Sequence, residues 1–232
     1  MKTKNKKKNY IELPVKPMVE PKGRVNGQLF QDLFVNKVLD IDNGFFVDLG
    51  AGTDGQKNAP IYLFSNTSLL EDCRQWDGIA IDYDKEYIDL AHKQRKCTCV
   101  CAYLTTTNIN DILQEHRCPP SVDYLSFDVD NAQEHVLNEL DFSKYKFKII
   151  TYEHNLYQGD IKHHEMSRQK FKEAGYKILC GNVVLKNFGA VEDWYVHSEI
   201  FDEYKHLQCE NISCVDIITN INKANTQILD LL

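Results

Sequence analysis

The sequence FFVDLGAGTDG, residues 45–55, is the most informative stretch of the chain. Its first five residues are apolar except for one aspartate, as expected of a central parallel strand that is covered on both faces. Three glycines follow in the pattern G-x-G-x-x-G, which permits a tight turn and a close approach of the backbone to a ligand. The stretch therefore predicts the first strand and the ligand-binding turn of an α/β fold.

Further strand patterns follow this turn, and most of them alternate with helical patterns. The predicted strands cover residues 45–49, 78–82, 97–104, 122–129, 147–152, 176–185 and 192–196. Strands that alternate with helices form parallel sheets, whereas the last two lie too close for a helical crossover and should pair as a hairpin. This order predicts a Rossmann-like α/β fold of the class I methyltransferase type. It has a mostly parallel seven-stranded sheet with one antiparallel strand, and helices on both faces.

Helical spacing marks residues 28–40, 109–114 and 161–174, and two further helices should begin near Ser65 and at Asp84. Ser68 and Glu71 have the spacing of a capping box, in which each side chain bonds to the other's backbone. Asp84 is a good N-cap because its carboxylate can accept the free N–H groups of the first turn. Gly175 is expected to end the helix over 161–174 in a left-handed conformation.

The domain organisation follows from composition and charge. The 232 residues carry a net charge of −7, which argues against nucleic acid or a membrane surface as a general partner. The composition predicts a disordered basic tail and an extended arm over residues 1–27. A single domain should follow over residues 28–208, and a C-terminal extension over residues 209–232. The extension is expected to pack on the domain or to form a subunit contact, which leaves a homo-oligomer open. The chain shows no apolar run typical of a signal peptide or a membrane span, so we expect a cytoplasmic protein without membrane insertion.

Polar residues stand at the carboxyl ends of four predicted strands. These residues are Asp48, Asp82, Asp128 and the pair Glu153-His154. Ligands of open α/β sheets bind at that edge, near the switch in strand order. Asp82 suits the hydroxyls of a ribose, and residues 56–64 separate the glycine turn from the next helix. That separation suits a nucleoside without phosphate better than a dinucleotide, whose pyrophosphate sits on a helix N-terminus.

Several motifs resemble those of the FkbM-type methyltransferases. VDLGAG at 47–52, SNT at 65–67 and WDG at 76–78 resemble the opening of that family, and DYLSFDVD at 123–130 resembles its fourth-strand segment. YEHN at 152–155 and EDWYVH at 192–197 are similar to its later motifs. Asn131 and Gln133 depart from the pattern, since a glycine and an acid are more usual there. The matches follow the family's order from about residue 45 to residue 197.

The resemblance implies S-adenosylmethionine as the methyl donor and a hydroxyl of a sugar, glycan or related small molecule as the acceptor. It further implies that Asp48, Gly50, Gly52 and Asp54 line the methionine side of the cofactor and that Asp82 binds its ribose. The other residues expected at the cofactor are Ala51, Asn66, Thr67, Tyr83 and Asp128.

For a hydroxyl acceptor, the enzyme must align the reacting groups and remove a proton. We expect Asp128, Glu153 and His154 to converge beside the acceptor, with His154 as the base of most suitable pKa. In an alternative, Asp128 and Glu153 hold a divalent cation such as Mg²⁺ that acidifies the hydroxyl. The neighbouring residues 163–165, His-His-Glu, are expected to form a solvated helix start, with contact to the acceptor as the less favoured alternative.

Two other functions are compatible with the predicted fold. An NAD-dependent oxidoreductase or epimerase would need a Tyr-x-x-x-Lys pair after the fourth strand, and the sequence has none placed there. A catalytically degenerate methyltransferase fold could serve as a binding module, but acids at all four strand ends favour an enzyme.

Overall fold

The computed structural model describes residues 19–20, 23–52, 60–154 and 156–229. The strands are β1 (Val19–Glu20), β2 (Gly23–Arg24), β3 (Phe45–Leu49), β4 (Asp77–Asp82), β5 (Thr98–Cys101), β6 (Ser121–Phe127), β7 (Lys146–Glu153), β8 (Tyr176–Leu185), β9 (Gly189–His197) and β10 (Cys209–Glu210). The helices are α1 (Gln31–Leu39), α2 (Ser68–Arg74), α3 (Lys85–Gln94), α4 (Ile109–Glu115), α5 (Gln133–Glu139), α6 (Ile161–Glu173), α7 (Phe201–Tyr204) and α8 (Cys214–Leu229).

The main sheet has the strand order β10-β8-β9-β7-β6-β3-β4-β5. Neighbouring strands are parallel, except that β9 runs antiparallel to both β7 and β8. The predicted mostly parallel sheet with one antiparallel strand is confirmed for β3 to β9. The count of seven is wrong, because β10 adds an eighth strand in parallel with β8. Two residues are too few to show an alternating pattern, so β10 could not be predicted from its residues.

Helices cover both faces of the sheet, as predicted, and each face has its own core. Phe46, Tyr124 and Ile149 face a cluster that includes side chains of α1, α2, α3 and α8. Their sequence neighbours Val47 and Leu125 face a second cluster that includes side chains of α4, α5 and α6. Successive strand residues point to opposite faces, which explains why these strands are apolar nearly throughout.

The start of α2 differs from the prediction. Ser68 is not an N-cap; its N–H donates to Ser65 Oγ at 3.1 Å. The predicted partner Glu71 is buried and accepts from Arg95 Nε at 2.9 Å. The capping box is therefore wrong, because a buried arginine competes for the glutamate. Asp84 is confirmed as the N-cap of α3, since Oδ1 accepts from the N–H of Glu86 at 2.8 Å.

The C-terminal residues extend one of the two cores. Ile217, Ile218 and Ile221 of α8 are buried, and they belong to the cluster that covers the α1 side of the sheet. None of the helices within the described ranges is long and apolar enough to cross a membrane.

Candidate active site

A cavity of about 840 Å³ opens at the carboxyl ends of the parallel strands. It lies where the strand order reverses, because β3 pairs with β4 on one side and with β6 on the other. Pockets of roughly 300–1,000 Å³ hold drug-sized ligands, so the cavity has room for a nucleoside cofactor beside an acceptor. Of the predicted site residues, those in its wall are Asp48, Gly50, Ala51, Gly52, Asn66, Asp82, Tyr83, Asp128 and Glu153. Thr67 supports this wall from behind, and Asp54 lies outside the described residues.

The glycine turn needs its glycines for two different reasons. Gly50 has a φ of +81°, and a Cβ there would lie 1.6 Å from the backbone oxygen of Asp128. At Gly52, a Cβ would lie 2.5 Å from a carboxylate oxygen of Asp82, to which the Gly52 N–H donates at 2.8 Å. The turn thus packs against both acids without any room for a side chain.

Asp82 is fixed by the backbone on both of its oxygens. Besides the Gly52 bond, Oδ1 accepts from the N–H of Asp84 at 2.7 Å. Burial raises the pKa of Asp82. Tyr83 and Tyr103 stand next to it at the cavity wall, both mostly exposed, with ring centroids 5.6 Å apart. Two aromatic faces beside a carboxylate are suited to a heterocyclic base and its sugar.

Asp48 is buried and joined to the loop before α2. Thr67 Oγ1 donates to it at 2.6 Å and itself accepts from Arg95 at 2.9 Å. Burial raises the pKa of Asp48, and this hydrogen bond opposes the shift. Next to Thr67, Asn66 donates to Ser126 Oγ at 3.0 Å, while its own carbonyl oxygen is buried and has no hydrogen-bond partner among the described residues.

Asp128 and Glu153 come together in the cavity wall. Their carboxyl groups lie within hydrogen-bond distance of each other, and Tyr157 donates to Glu153 Oε1 at 3.0 Å. Burial and the charge of Glu153 raise the pKa of Asp128 well above its usual range. Two carboxyl groups in contact cannot both ionise readily, so Asp128 holds a proton more tightly than an ordinary aspartate does.

His154 does not join this pair, and its predicted place beside the acceptor is wrong. It is fully buried outside the cavity wall, and its Nε2 lies 3.8 Å from Asp193 Oδ1. Burial lowers its pKa to about 4. Consecutive strand residues point to opposite faces, so a strand end that presents Glu153 to the cavity must turn His154 away.

The residues at the start of α6 also differ from the prediction. Glu165 is exposed as expected, but His164 is buried with Nε2 3.6 Å from Asp193. His163 contacts the hydroxyl of Tyr152 at 2.5 Å. Residues 163 and 164 therefore pack into the fold instead of forming a solvated helix start.

One group of three metal-ligand side chains lies close together among the described residues. It consists of His154, His164 and Asp193, with their ligand atoms within 4.8 Å of one another. Asp193 already pairs with Arg168, whose Nε and Nη2 donate to it at 2.7 and 2.8 Å. The guanidinium thus neutralises the carboxylate that a cation would need. Asp128 and Glu153, the predicted magnesium ligands, supply only two carboxyl groups, and the pKa of Asp128 is raised.

Glu192 was missed by the sequence-based prediction. It lies opposite Glu153 in the register of β7 and β9 and is buried. Gln31 donates to one of its oxygens at 2.7 Å and Trp194 to the other at 2.5 Å. Burial raises its pKa to about 7. The EDW motif contained the signal, because alternation along β9 puts the glutamate and not the aspartate on the face of Glu153.

Comparison with known proteins bears on the second half of this site. Residues 100–178, about a third of the chain, match the model of the Methyltransferase FkbM domain. Over these residues, the chain is similar to the FkbM-type methyltransferases. The match covers the strand ends with Asp128 and Glu153 and confirms the resemblance noted in the sequence. No curated protein matches this chain.

Solved structures similar to this chain are distant in sequence. A TehB-like SAM-dependent methyltransferase from Corynebacterium glutamicum has 10% identity and a TM-score of 0.46, covering 72% of this chain and 87% of its own. Fibrillarin from Aeropyrum pernix with natively bound S-adenosyl-L-methionine has 12% identity and a TM-score of 0.48, covering 75% and 77%. A SAM-dependent O-methyltransferase from Thermotoga maritima has 12% identity and a TM-score of 0.46, covering 72% and 64%.

Proposed function

We propose that the protein transfers a methyl group from S-adenosylmethionine to a hydroxyl of a sugar, glycan or related small molecule. The observation that carries this proposal is the cavity itself. Its wall joins a carboxylate flanked by exposed tyrosines, at the ends of β3 and β4, to two carboxyl groups in contact at the ends of β6 and β7. A nucleoside and a hydroxyl that must lose a proton would each meet suitable groups there.

The cofactor half has the donors and acceptors that this nucleoside requires. Each oxygen of Asp82 accepts one backbone N–H, which leaves a lone pair on each for the two ribose hydroxyls. Tyr83 and Tyr103 offer faces for the adenine. Gly50 and Gly52 have no side chains, so the methionine part of the cofactor can lie against the backbone of the turn. When bound, S-adenosylmethionine supplies the methyl group on an activated sulfonium.

In the acceptor half, Glu153 takes the proton of the hydroxyl. Its neighbour Asp128 is less suited to this role, because burial and the charge of Glu153 raise the pKa of Asp128 well above its usual range. The Tyr157 hydroxyl fixes one Glu153 oxygen and leaves the other for the acceptor. Positioning and proton removal by such a base typically contribute about 10²–10⁴-fold to a rate.

The test is ligand binding by the whole chain, followed by thermal unfolding. S-adenosylmethionine or S-adenosylhomocysteine at about 100 times its dissociation constant should add about 2.7 kcal/mol of stability, and NAD⁺ should add none. Asp82→Asn should weaken S-adenosylhomocysteine about tenfold, since it alters one charged hydrogen bond. Asp89→Asn, an exposed aspartate of α3, is the matched control and should bind normally.

A shift with NAD⁺ alone would reject the proposal. Binding of the sulfur nucleosides without turnover of any hydroxyl compound would favour the degenerate binding module instead.

A further inference from the structure

Two cysteines stand opposite each other where the short strand β10 joins the edge of the sheet. Cys209 of β10 and Cys180 of β8 are Cα partners in the parallel register of these strands. Both are reduced thiols; Cys180 is fully buried and Cys209 is half-buried. Neighbouring strands lie about 4.8 Å apart, which falls within the Cα separation of about 4.4–6.8 Å that a disulfide spans. Strand pairing therefore brings the two residues within reach of an S–S bond.

The two side chains project from the same face of the sheet. The next pair in the register is Gly181 and Glu210, and a Cβ on Gly181 would lie 3.1 Å from Cγ of Glu210 and 3.3 Å from Nη2 of Arg168. This pair therefore faces α6, which carries Arg168. Because successive strand residues alternate between the faces, Cys180 and Cys209 face the α1 side, and both pack in that core. Their thiol groups interact directly.

Hydrogen bonds on either side of the cysteines fix this register. Gln208 Nε2 donates to the backbone oxygen of Ile178 at 3.0 Å, and the N–H of Asn211 donates to the backbone oxygen of Gly181 at 2.9 Å. Neither bond involves a thiol. The backbone therefore places the two sulfur atoms side by side, whatever their oxidation state.

Cys209 is the member of the pair that an oxidant reaches, because it is half-buried whereas Cys180 is fully buried. The thiolate is the reactive form of cysteine. Contact with the Cys180 thiol lowers the pKa of Cys209, while the same contact and burial raise the pKa of Cys180. Access and thiolate character thus both favour Cys209 as the attacking group and Cys180 as the thiol that completes the bond.

A second pair of cysteines is a useful contrast. Cys97 and Cys99, at the start of β5, also have thiol groups that interact. Both of these residues are buried, so an oxidant reaches neither of them in the folded protein. Contact between thiols is therefore common to both pairs, and access distinguishes Cys180 and Cys209.

We propose that Cys180 and Cys209 form a redox modification site, at which a small disulfide such as oxidised glutathione introduces an intramolecular disulfide. The Cys209 thiolate attacks one sulfur of oxidised glutathione, breaks its S–S bond and releases one glutathione thiolate. Cys180 then loses its proton to solvent, attacks Sγ of Cys209 and displaces the second glutathione. The two cysteines lose two electrons, which oxidised glutathione gains.

The new bond fastens the C-terminal segment to the sheet. β10 is a two-residue strand that leads into α8, whose buried Ile217, Ile218 and Ile221 complete the core on the α1 side. A crosslink that closes a loop of about 30 residues restricts the unfolded chain and so stabilises the folded one. We expect the oxidised protein to have a Tm about 5 °C or more above that of the reduced protein.

The experiment treats the full-length folded protein with oxidised glutathione, removes the oxidant, and alkylates the remaining thiols in denaturant. Cleavage after lysine and glutamate separates Cys209 from Cys214, because Glu210 lies between them. Mass spectrometry should find residues 178–186 linked to residues 206–210, and dithiothreitol should separate the two peptides. Cys97 and Cys99 should be recovered in alkylated form.

A variant and its control connect the bond to the change in stability. Cys209→Ser should form no crosslink and should have the same Tm after oxidation and after reduction. Cys118→Ser, which removes another half-buried thiol, is the matched control and should keep both the crosslink and the rise in Tm.

Recovery of Cys180 and Cys209 as free thiols after this treatment would overturn the inference. It would also be overturned by a lasting mixed disulfide between Cys209 and glutathione, or by a bond from Cys180 to a different cysteine. A rise in Tm that persists in Cys209→Ser would show that the stabilisation comes from another modification.

Discussion

Two clusters of polar side chains lie side by side where β7 pairs with β9, and consecutive residues divide between them. Glu153 is half-buried in the cavity wall with the buried Glu192 opposite it, whereas His154 and Asp193 are buried on the side of α6. The second cluster is balanced, because Arg168 bonds Asp193 with two nitrogens and holds its pKa well below the usual range. The first contains several acids with no cation among its described neighbours. The difference shows that burial alone does not mark a site; carboxyl groups at a cavity that are not neutralised by a described cation do.

The largest expected effect is on catalysis, which should depend on the cluster that contains Glu153. Glu153→Gln should lower kcat about 10²–10⁴-fold, because the amide cannot accept the hydroxyl proton. Its affinity for S-adenosylhomocysteine and its thermal stability should stay close to those of the wild type. Steady-state kinetics and titration calorimetry measure both quantities. Retained turnover would assign the base to another residue.

The next largest effect is on the free energy of unfolding, to which the cluster that contains Asp193 should contribute. Arg168→Met should lower the free energy of unfolding by about 3–5 kcal/mol, since it leaves Asp193 buried without its counter-charge. Urea unfolding measures this loss. The double variant Arg168→Met with Asp193→Leu is the control and should recover much of the stability. A single variant as stable as the wild type would contradict the ion pair.

A smaller effect tests His154, for which the position predicted from the sequence was wrong. His154→Ala should cost about 2 kcal/mol or more of stability, because it leaves a cavity in a fully buried position. Cofactor affinity and turnover of the remaining folded protein should change little, since His154 does not line the cavity. Loss of turnover in a fully folded sample would return this histidine to the catalytic site.

The smallest effect is a pH dependence that Glu192 introduces. The folded pKa is raised to about 7 from 4.5, so the folded state holds this proton more tightly than the unfolded state. Its contribution to stability is complete below about pH 4.5 and is lost as the pH rises through about 7. The difference in Tm between wild type and Glu192→Gln, followed from pH 4.5 to 8, should therefore change in that window. A constant difference would show that the carboxyl is not protonated there.

Much of the site could be predicted because it rests on local pattern. The turn at Gly50 and Gly52 follows from glycine spacing after a strand, and Asp82 and Asp128 follow from their positions at strand ends. The carboxyl ends of parallel strands share one edge of the sheet, so these residues meet whatever the details of packing.

The errors have physical causes in long-range pairing. His154 was assigned to the site because its intrinsic pKa suits a base, but alternation along β7 turns it to the opposite face. Glu71 was assigned to a helix cap because the sequence does not show that Arg95 returns beside it. Glu192 was overlooked because its role depends on the register of β9 against β7.

The order of strands and helices, the glycine turn and the acids at the strand ends follow from the sequence, since each depends on residues near one another in the chain. The partners of those acids depend on tertiary contacts. Asp193 and Glu192 have similar side chains and adjacent positions, yet one is paired with an arginine of α6 and the other with a glutamine of α1. The register of an antiparallel strand, set far from either helix, determines which of the two acids lies opposite the cavity residue Glu153.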